Sequence, residues 1–123
     1  MKNSRSTEDY LKTILLLRTR NENVRAIDVA GELGVTKPSV SAAMKKLRGM
    51  DMIYLDDNGY ICLTKSGQNI AEKVNEKHLL ITRQLTGIGV NEKTASEEAC
   101  QIEHAIGEET YERLEELYGK RFS

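Results

Sequence analysis

The run Cys-Gln-Ile-Glu-His at residues 100–104 places a thiol, a carboxyl group and an imidazole within five positions. A helix turns by about 100° per residue, so Cys100, Glu103 and His104 fall on one narrow stripe of a single helix. Glu97 precedes the run and falls beside the same stripe. A thiolate, carboxylates and an imidazole suit a divalent transition metal, whereas Ca²⁺ and Mg²⁺ prefer oxygen ligands alone. The run therefore indicates a transition-metal site, and the alternative is a surface helix with an incidental buried cysteine.

One helix cannot complete a coordination sphere, so further ligands are expected from elsewhere in the chain. His78 is the second of the two histidines, and Asp9 stands beside Glu8 in the first predicted helix. The sequence has no Gly-rich phosphate loop, Ser-His-Asp set or His-Glu-x-x-His run. The catalytic alternatives are a thiolate–imidazolium pair of Cys100 and His104 and a metal-dependent hydrolase, for which the sequence has no pocket signature. We therefore expect that the chain is not an enzyme.

Composition is that of a globular protein, with 123 residues, 39% of them hydrophobic and 30% charged. No run approaches the ~20 apolar residues that span a bilayer. The first ten residues, MKNSRSTEDY, lack the apolar core of a signal peptide. We therefore expect a cytoplasmic protein without a membrane partner, in which Cys62 and Cys100 are free or metal-bound thiols rather than a disulfide.

Apolar periodicity and capping residues predict a mainly α chain with six helices and one hairpin. The first helix covers STEDYLKTILLLRTR, and the second ends at Gly34, where a left-handed cap is expected. The third begins at Thr36, with Pro38 in its first turn. The fourth ends at Gly87, the fifth at Gly107, and the sixth follows. Residues expected to face inward are Ile27, Val29, Ala30 and Leu33 in the second helix and Val40, Met44 and Leu47 in the third.

A change of period after the third helix predicts a β-hairpin over Tyr54–Leu63. Two short β-prone runs flank Asp57-Asn58-Gly59, and Asn-Gly is the strongest short-range signal for a two-residue hairpin turn. Such a turn requires a positive φ at both Asn58 and Gly59. The acidic tip formed by Asp56 and Asp57 argues against strong attraction between this hairpin and phosphate groups.

Helix, short helix, tight turn, helix and hairpin is the order of a winged helix-turn-helix, which presents its recognition helix to the DNA major groove. Thr36–Met50 contains four basic residues and no acid, although residues 1–72 carry only 11 basic against 9 acidic residues. A local basic face on a nearly neutral protein indicates that one element contacts a polyanion. The alternative is a winged helix that binds another protein. Predicted DNA-contacting residues are Thr36, Lys37, Pro38, Ser39 and Ser41 in the leading turns and Lys45 and Lys46 further along.

Five segments together resemble the metal-dependent repressors of the diphtheria toxin repressor and manganese transport regulator type. They are STEDYLKTILLL, VTKPSVSAAMKKL, LTKSGQNIAEKV, KHLLITRQL and EEACQIEHAIGEETYERLE, and they extend over nearly the whole chain. The resemblance implies an N-terminal winged helix-turn-helix with a small hairpin wing in residues 1–72. It also implies an all-helical metal-binding and dimerisation domain in residues 73–123. In length the chain resembles the manganese-sensing branch, so the SH3-like third domain of the iron-sensing branch is not expected.

Carried over position by position, the resemblance implies a hybrid ligand set. Asp9 matches the manganese branch, Cys100 matches the iron branch, and His78, Glu103 and His104 match both. Lys12 stands where the manganese branch has a second glutamate, and an ammonium group repels a cation, so one well-formed site is expected. Thr82 and Ser96 stand where the iron branch has ancillary ligands, and Glu97 or Glu98 is expected to substitute in a weaker second site near His78.

The resemblance implies a homodimeric repressor of metal-homeostasis genes that binds a double-stranded DNA operator. Fe²⁺ or Mn²⁺ would act as corepressor by bridging the two domains, and Zn²⁺, Co²⁺ or Ni²⁺ would substitute in vitro. No small-molecule substrate is expected. The alternative is a winged-helix regulator of the multiple-antibiotic-resistance type, which senses a small organic ligand or a thiol oxidant through Cys100.

Overall fold

The computed structural model describes residues 4–21 and 23–122, with side chains described as far as Leu117. The chain forms two compact units, residues 1–72 and residues 73–123. Eight elements follow in order: α1 Arg5–Arg20, α2 Ala26–Leu33, α3 Lys37–Gly49, β1 Ile53–Leu55, β2 Ile61–Leu63, α4 Lys65–Gly87, α5 Glu92–Ala105 and α6 Glu108–Phe122. The mainly helical fold with a two-stranded hairpin confirms the prediction. In the described part of the chain, no helix is long and apolar enough to cross a membrane.

The first unit packs α1, α2 and α3 against the hairpin around a core of aliphatic side chains. Leu11 and Ile14 of α1 are fully buried, as is Val29 of α2. Val40, Met44 and Leu47 of α3 are buried as predicted. The backbone N–H of Ile61 donates to the Val24 carbonyl over 2.7 Å, and Arg18 Nη1 donates to the Ile61 carbonyl over 2.8 Å. These bonds fix the hairpin to the end of α1 and the loop that follows.

The predicted helix boundaries of α3 are set by local chemistry. Thr36 is the N-cap, and its Oγ1 accepts a hydrogen bond from Ser39 N over 3.3 Å. Gly34 has a φ of +67°, the left-handed conformation that ends α2 and that glycine adopts without steric cost. The turn between α2 and α3 is therefore determined by two residues that the sequence identifies.

Ile27 is an exception to the predicted inward face of α2, because 59% of it is exposed. Val29 and Ala30 are buried and Leu33 is partly buried. At about 100° per residue, the centre of the face formed by those three side chains lies more than 90° away from Ile27. The prediction that Ile27 faces inward is therefore wrong.

The hairpin pairs Ile53 with Leu63, Tyr54 with Cys62 and Leu55 with Ile61 in antiparallel register. Its turn is longer than the predicted two-residue turn. Asp56 Oδ1 accepts hydrogen bonds from Asn58 N over 2.9 Å and from Tyr60 N over 3.0 Å. Gly59 has a φ of +81°, whereas Asn58 does not have a positive φ. The Asp56 carboxylate thus stabilises a wider loop, and the expected positive φ at Asn58 is wrong.

The second unit consists of α4 from residue 73 onward, together with α5 and α6. Asn91 caps α5, and its Oδ1 accepts from Lys93 N over 2.9 Å. Lys77 Nζ donates to the Ile106 carbonyl over 3.2 Å, and Gln84 Nε2 donates to the Leu114 carbonyl over 3.0 Å. Side chains of α4 therefore bond to the backbone at the end of α5 and in α6.

Candidate functional site

The leading turns of α3 form an exposed polar surface on the first unit. All seven predicted DNA-contacting residues are exposed: Thr36, Lys37, Pro38, Ser39, Ser41, Lys45 and Lys46. Thr36 Oγ1 also donates to Ser39 Oγ over 2.9 Å, so the two hydroxyls order each other at the helix start. Because Pro38 lacks an N–H, it fits the first turn without losing a helical hydrogen bond. The surface supplies hydroxyls and ammonium groups without an acidic neighbour in α3.

A concavity of about 420 Å³ lies between α3 and the hairpin, with Ser41, Lys45 and Arg48 on one side and Leu55 and Gly59 on the other. Its two cationic side chains extend the basic surface of α3 toward the wing. These two cations suit phosphate groups, whereas Ala26, Met44, Leu55 and Ile61 make much of the remaining lining apolar.

Arg25 adds a third cation beside the wing that the sequence analysis did not select. Its guanidinium carbon lies 4.9 Å from the centre of the Tyr60 ring, and Nη2 donates to Tyr60 Oη over 3.4 Å. That hydrogen bond raises the pKa of Arg25. An arginine side chain is cationic at neutral pH in any case. A basic residue directly before α2 was the only available sequence signal.

The second unit brings three predicted metal ligands together. Single ligand atoms of His78, Cys100 and Glu103 all lie within 4.8 Å of one another. His78 Nδ1 is 3.3 Å from Glu103 Oε2 and 3.7 Å from Cys100 Sγ. Both cysteines of the chain are free thiols. The helical stripe predicted on α5 thus faces the histidine of α4.

His104 follows Glu103 on α5 and contacts it, although among the described residues its ligand atoms are not part of the close group that His78, Cys100 and Glu103 form. Its Nε2 lies 3.5 Å from Glu103 Oε1, and its side chain is only 4% exposed. The Glu103 side chain is fully buried, and each of its two oxygens lies near an imidazole nitrogen. Burying a carboxylate is costly unless opposite charge or hydrogen bonds compensate it. Two imidazoles, a thiol and a buried carboxylate fit a divalent transition metal by donor type.

Glu97 and Asp9, two further predicted ligands, are more exposed than the buried Glu103. Glu97 is exposed on α5 and is not part of the group of close ligand atoms found among the described residues. Asp9 lies in α1 of the first unit, with its side chain 37% exposed, and its Oδ2 is 3.9 Å from Arg5 Nε. Their roles as ligands stay predictions.

Ser96 is a contact of this group that the sequence analysis did not identify as a partner. Its Oγ lies 3.4 Å from His78 Nε2, on the opposite edge of the ring from Cys100 and Glu103. Ser96 precedes Cys100 by four residues, so the helical period places both on one side of α5. The resemblance places Ser96 where the iron branch has an ancillary ligand, but only the tertiary structure shows that its hydroxyl contacts the His78 ring.

Family models match the two parts of the chain separately. Residues 2–65 match the N-terminal DNA-binding domain of the iron-dependent repressors. Residues 64–121 match their metal-binding and dimerisation domain. The two matches meet at the start of α4.

Curated and solved relatives agree with these matches. An uncharacterised helix-turn-helix-type transcriptional regulator of Methanocaldococcus jannaschii is 37% identical over 113 residues, which is 90% of each chain. The transcriptional regulator MntR of Escherichia coli is 31% identical over 84% of this chain and 66% of its own length. The solved manganese regulator SloR aligns with a TM-score of 0.80 and 32% identity, over 92% of this chain.

The chain spans 53% of the length of the SloR structure. Its two matched domains nevertheless follow one another over residues 2–121. The chain therefore belongs to the iron-dependent repressor family of metal-dependent transcriptional regulators.

Proposed function

We propose that this protein is a homodimeric repressor that binds an operator in double-stranded DNA when it is loaded with Fe²⁺ or Mn²⁺. The observation that carries the proposal is the burial of Glu103 between the imidazoles of His78 and His104, with the Cys100 thiol beside it. This donor set belongs to the same chain as an exposed recognition helix without acidic residues. Sensing and DNA binding thus have separate residues on one polypeptide.

The ligands we assign are Cys100, Glu103 and His104 from α5, His78 from α4 and Asp9 from α1. Asp9 belongs to the DNA-binding unit and the others to the second unit, so a shared ion would tie the two units together. In a twofold dimer, this link would hold the recognition helices about one DNA turn, ~34 Å, apart. The ligand residues would therefore favour operator binding by restricting the arrangements of the two units that do not fit the operator. Glu97 remains a candidate ligand of a weaker second site.

The physiological ion is proposed from ligand chemistry. The Cys100 thiolate favours Fe²⁺ over Mn²⁺ because it is a soft ligand, while Asp9 favours a harder ion. We propose Fe²⁺ as the principal corepressor and expect Co²⁺ and Zn²⁺ to bind in vitro by the Irving–Williams order.

An anaerobic mobility-shift titration with Mn²⁺, Fe²⁺, Co²⁺, Zn²⁺ or chelator tests the proposal. We expect operator affinity to rise at least about tenfold with metal, which corresponds to roughly 1.4 kcal/mol of coupling. Cys100→Ala and His104→Ala should lose this response and keep a native circular dichroism spectrum. Cys62→Ala is the matched control, because it removes the other thiol from β2 of the first unit and should leave the response unchanged.

Equal operator affinity with metal and with chelator would overturn the proposal. Release of DNA by peroxide in metal-free wild type, but not in Cys100→Ala, would instead favour the thiol-oxidant regulator.

A further inference from the structure

The His78 ring is held between two different chemical partners on its two edges. Ser96 Oγ lies 3.4 Å from Nε2. On the other edge, Nδ1 lies 3.3 Å from Glu103 Oε2 and 3.7 Å from Cys100 Sγ. The side chain is 14% exposed, so bulk water has little access to either edge. Nδ1 is therefore the nitrogen that faces the donor set.

A neutral imidazole carries one N–H and one lone pair, and only the lone-pair nitrogen binds a metal. Because Nδ1 faces Cys100 and Glu103, metal binding there requires the proton to be on Nε2. Ser96 Oγ is then the acceptor for that N–H. In the opposite tautomer, Nδ1–H faces Cys100 Sγ and the Glu103 carboxylate, and Nε2 needs a donor. A serine hydroxyl serves in either state, because it can donate as well as accept.

We propose that Ser96 is a positioning residue that keeps Nδ1 of His78 directed at the metal site. The inference rests on the proposed function, since it assigns Ser96 to the same donor set. Ser96 does not ligate in this arrangement, because its hydroxyl contacts the edge of the ring that is remote from Cys100 and Glu103. Histidine ligands in proteins generally donate their second N–H to such a partner, and losing it typically weakens metal binding by about 10–100-fold.

Thr82 provides a matched control because it also bonds to His78 through a hydroxyl. Its Oγ1 donates to the backbone carbonyl of His78 over 2.7 Å and does not orient the ring. Ser96→Ala and Thr82→Val therefore each remove a hydroxyl next to His78. Of these two variants, only Ser96→Ala removes a contact with the ring. Ser96→Thr keeps the hydroxyl.

Anaerobic Co²⁺ titration of the full chain, followed by its thiolate absorption, is the first measurement. We expect Ser96→Ala to weaken Co²⁺ binding about tenfold, whereas Ser96→Thr and Thr82→Val stay within about twofold of wild type. Equal affinity of Ser96→Ala and wild type would overturn the inference, as would an equal loss in Thr82→Val. If wild type itself gives no thiolate band, the proposed metal-sensing function fails instead.

The tautomer is tested in wild type by ¹⁵N NMR of the Zn²⁺-loaded protein. The chain has two histidines, so a His78→Gln sample assigns the signals. We expect Zn²⁺ at Nδ1 of His78 and a proton on Nε2, and in metal-free Ser96→Ala the Nε2 signal should lose its hydrogen-bond shift. A proton on Nδ1 with Zn²⁺ on Nε2 would overturn the inference even if Ser96→Ala failed to fold.

Discussion

Arg5 Nε and Asp9 Oδ2 lie 3.9 Å apart on successive turns of α1. A guanidinium is thus the neighbour of the carboxylate that we propose as the metal ligand from the DNA-binding unit. Both side chains are substantially exposed, at 59% and 37%, so the pair itself contributes little to stability. The pair matters for cation binding, because the positive charge of Arg5 repels any cation that binds at Asp9.

We predict that Arg5→Gln raises the affinity for Mn²⁺ severalfold. A divalent ion and a guanidinium about 7 Å apart repel by roughly 1 kcal/mol in water, and salt reduces this value. Mn²⁺ binding measured by calorimetry on the full chain is the test. Arg20→Gln is the control, since Arg20 is equally exposed and pairs with Glu32 over 3.0 Å. Equal gains in both variants would show that only net charge matters.

The salt dependence of operator binding should depend on the exposed lysines of α3. Lys37→Ala and Lys46→Ala should each reduce the slope of log affinity against log salt by up to about 0.9, the value for one phosphate contact. The measurement is a mobility-shift series in the presence of metal between about 50 and 200 mM salt. Lys93→Ala, an exposed lysine of α5, should keep the wild-type slope. An unchanged slope in the α3 variants would remove these lysines from the phosphate contacts.

Gly67 is required for the close packing of α4 against the loop before β1. A Cβ atom at this position would collide with the backbone carbonyl oxygen of Met52, which already accepts from Thr64 N over 3.0 Å. We expect Gly67→Ala to lower the free energy of unfolding by at least about 2 kcal/mol, since backbone must shift. Urea denaturation followed by circular dichroism measures this effect.

The control for this glycine is Gly31 in α2, where an added Cβ would meet no atom within 4 Å other than those of the adjacent residues and the surrounding helix backbone. Gly31→Ala should stabilise the protein by up to about 1 kcal/mol through helix propensity. If Gly67→Ala proves as stable as wild type, the close approach at Met52 is not a constraint on the fold.

Stability should fall at alkaline pH because of Tyr111. Burial, and then the hydrogen bond that Tyr111 Oη donates to Glu115 over 3.1 Å, raise the pKa of Tyr111 from 10.0 to about 12. The folded state therefore favours the neutral phenol, and its contribution is complete below pH 10 and is lost as pH rises toward 12.

Urea denaturation of wild type and Tyr111→Phe across pH 9 to 12 tests this linkage. The decline above pH 10 should be shallower in Tyr111→Phe. Tyr54→Phe is the control, because Tyr54 is 52% exposed and should retain the wild-type decline. Parallel curves for Tyr111→Phe and wild type would contradict the assignment.

The sequence predicted the α3 surface well because helix caps and helical periods are local properties. Thr36 and Pro38 specify where α3 begins, and the spacing of Val40, Met44 and Leu47 specifies its buried face. The hairpin was predicted in place but with the wrong turn. The Asn58-Gly59 pair alone favours a two-residue turn, whereas the Asp56 carboxylate accepts two backbone N–H groups and stabilises a longer loop.

For the proposed metal site, too, some features follow from local sequence and others from long-range packing. The sequence alone determined that Cys100, Glu103 and His104 share one stripe, because helix geometry sets the angle between residues of one helix. Only the tertiary structure decided that His78 meets this stripe through Nδ1, that Ser96 contacts Nε2, and that Glu103 is fully buried. Those relationships depend on the register between α4 and α5, which is set by the packing of side chains far apart in the chain.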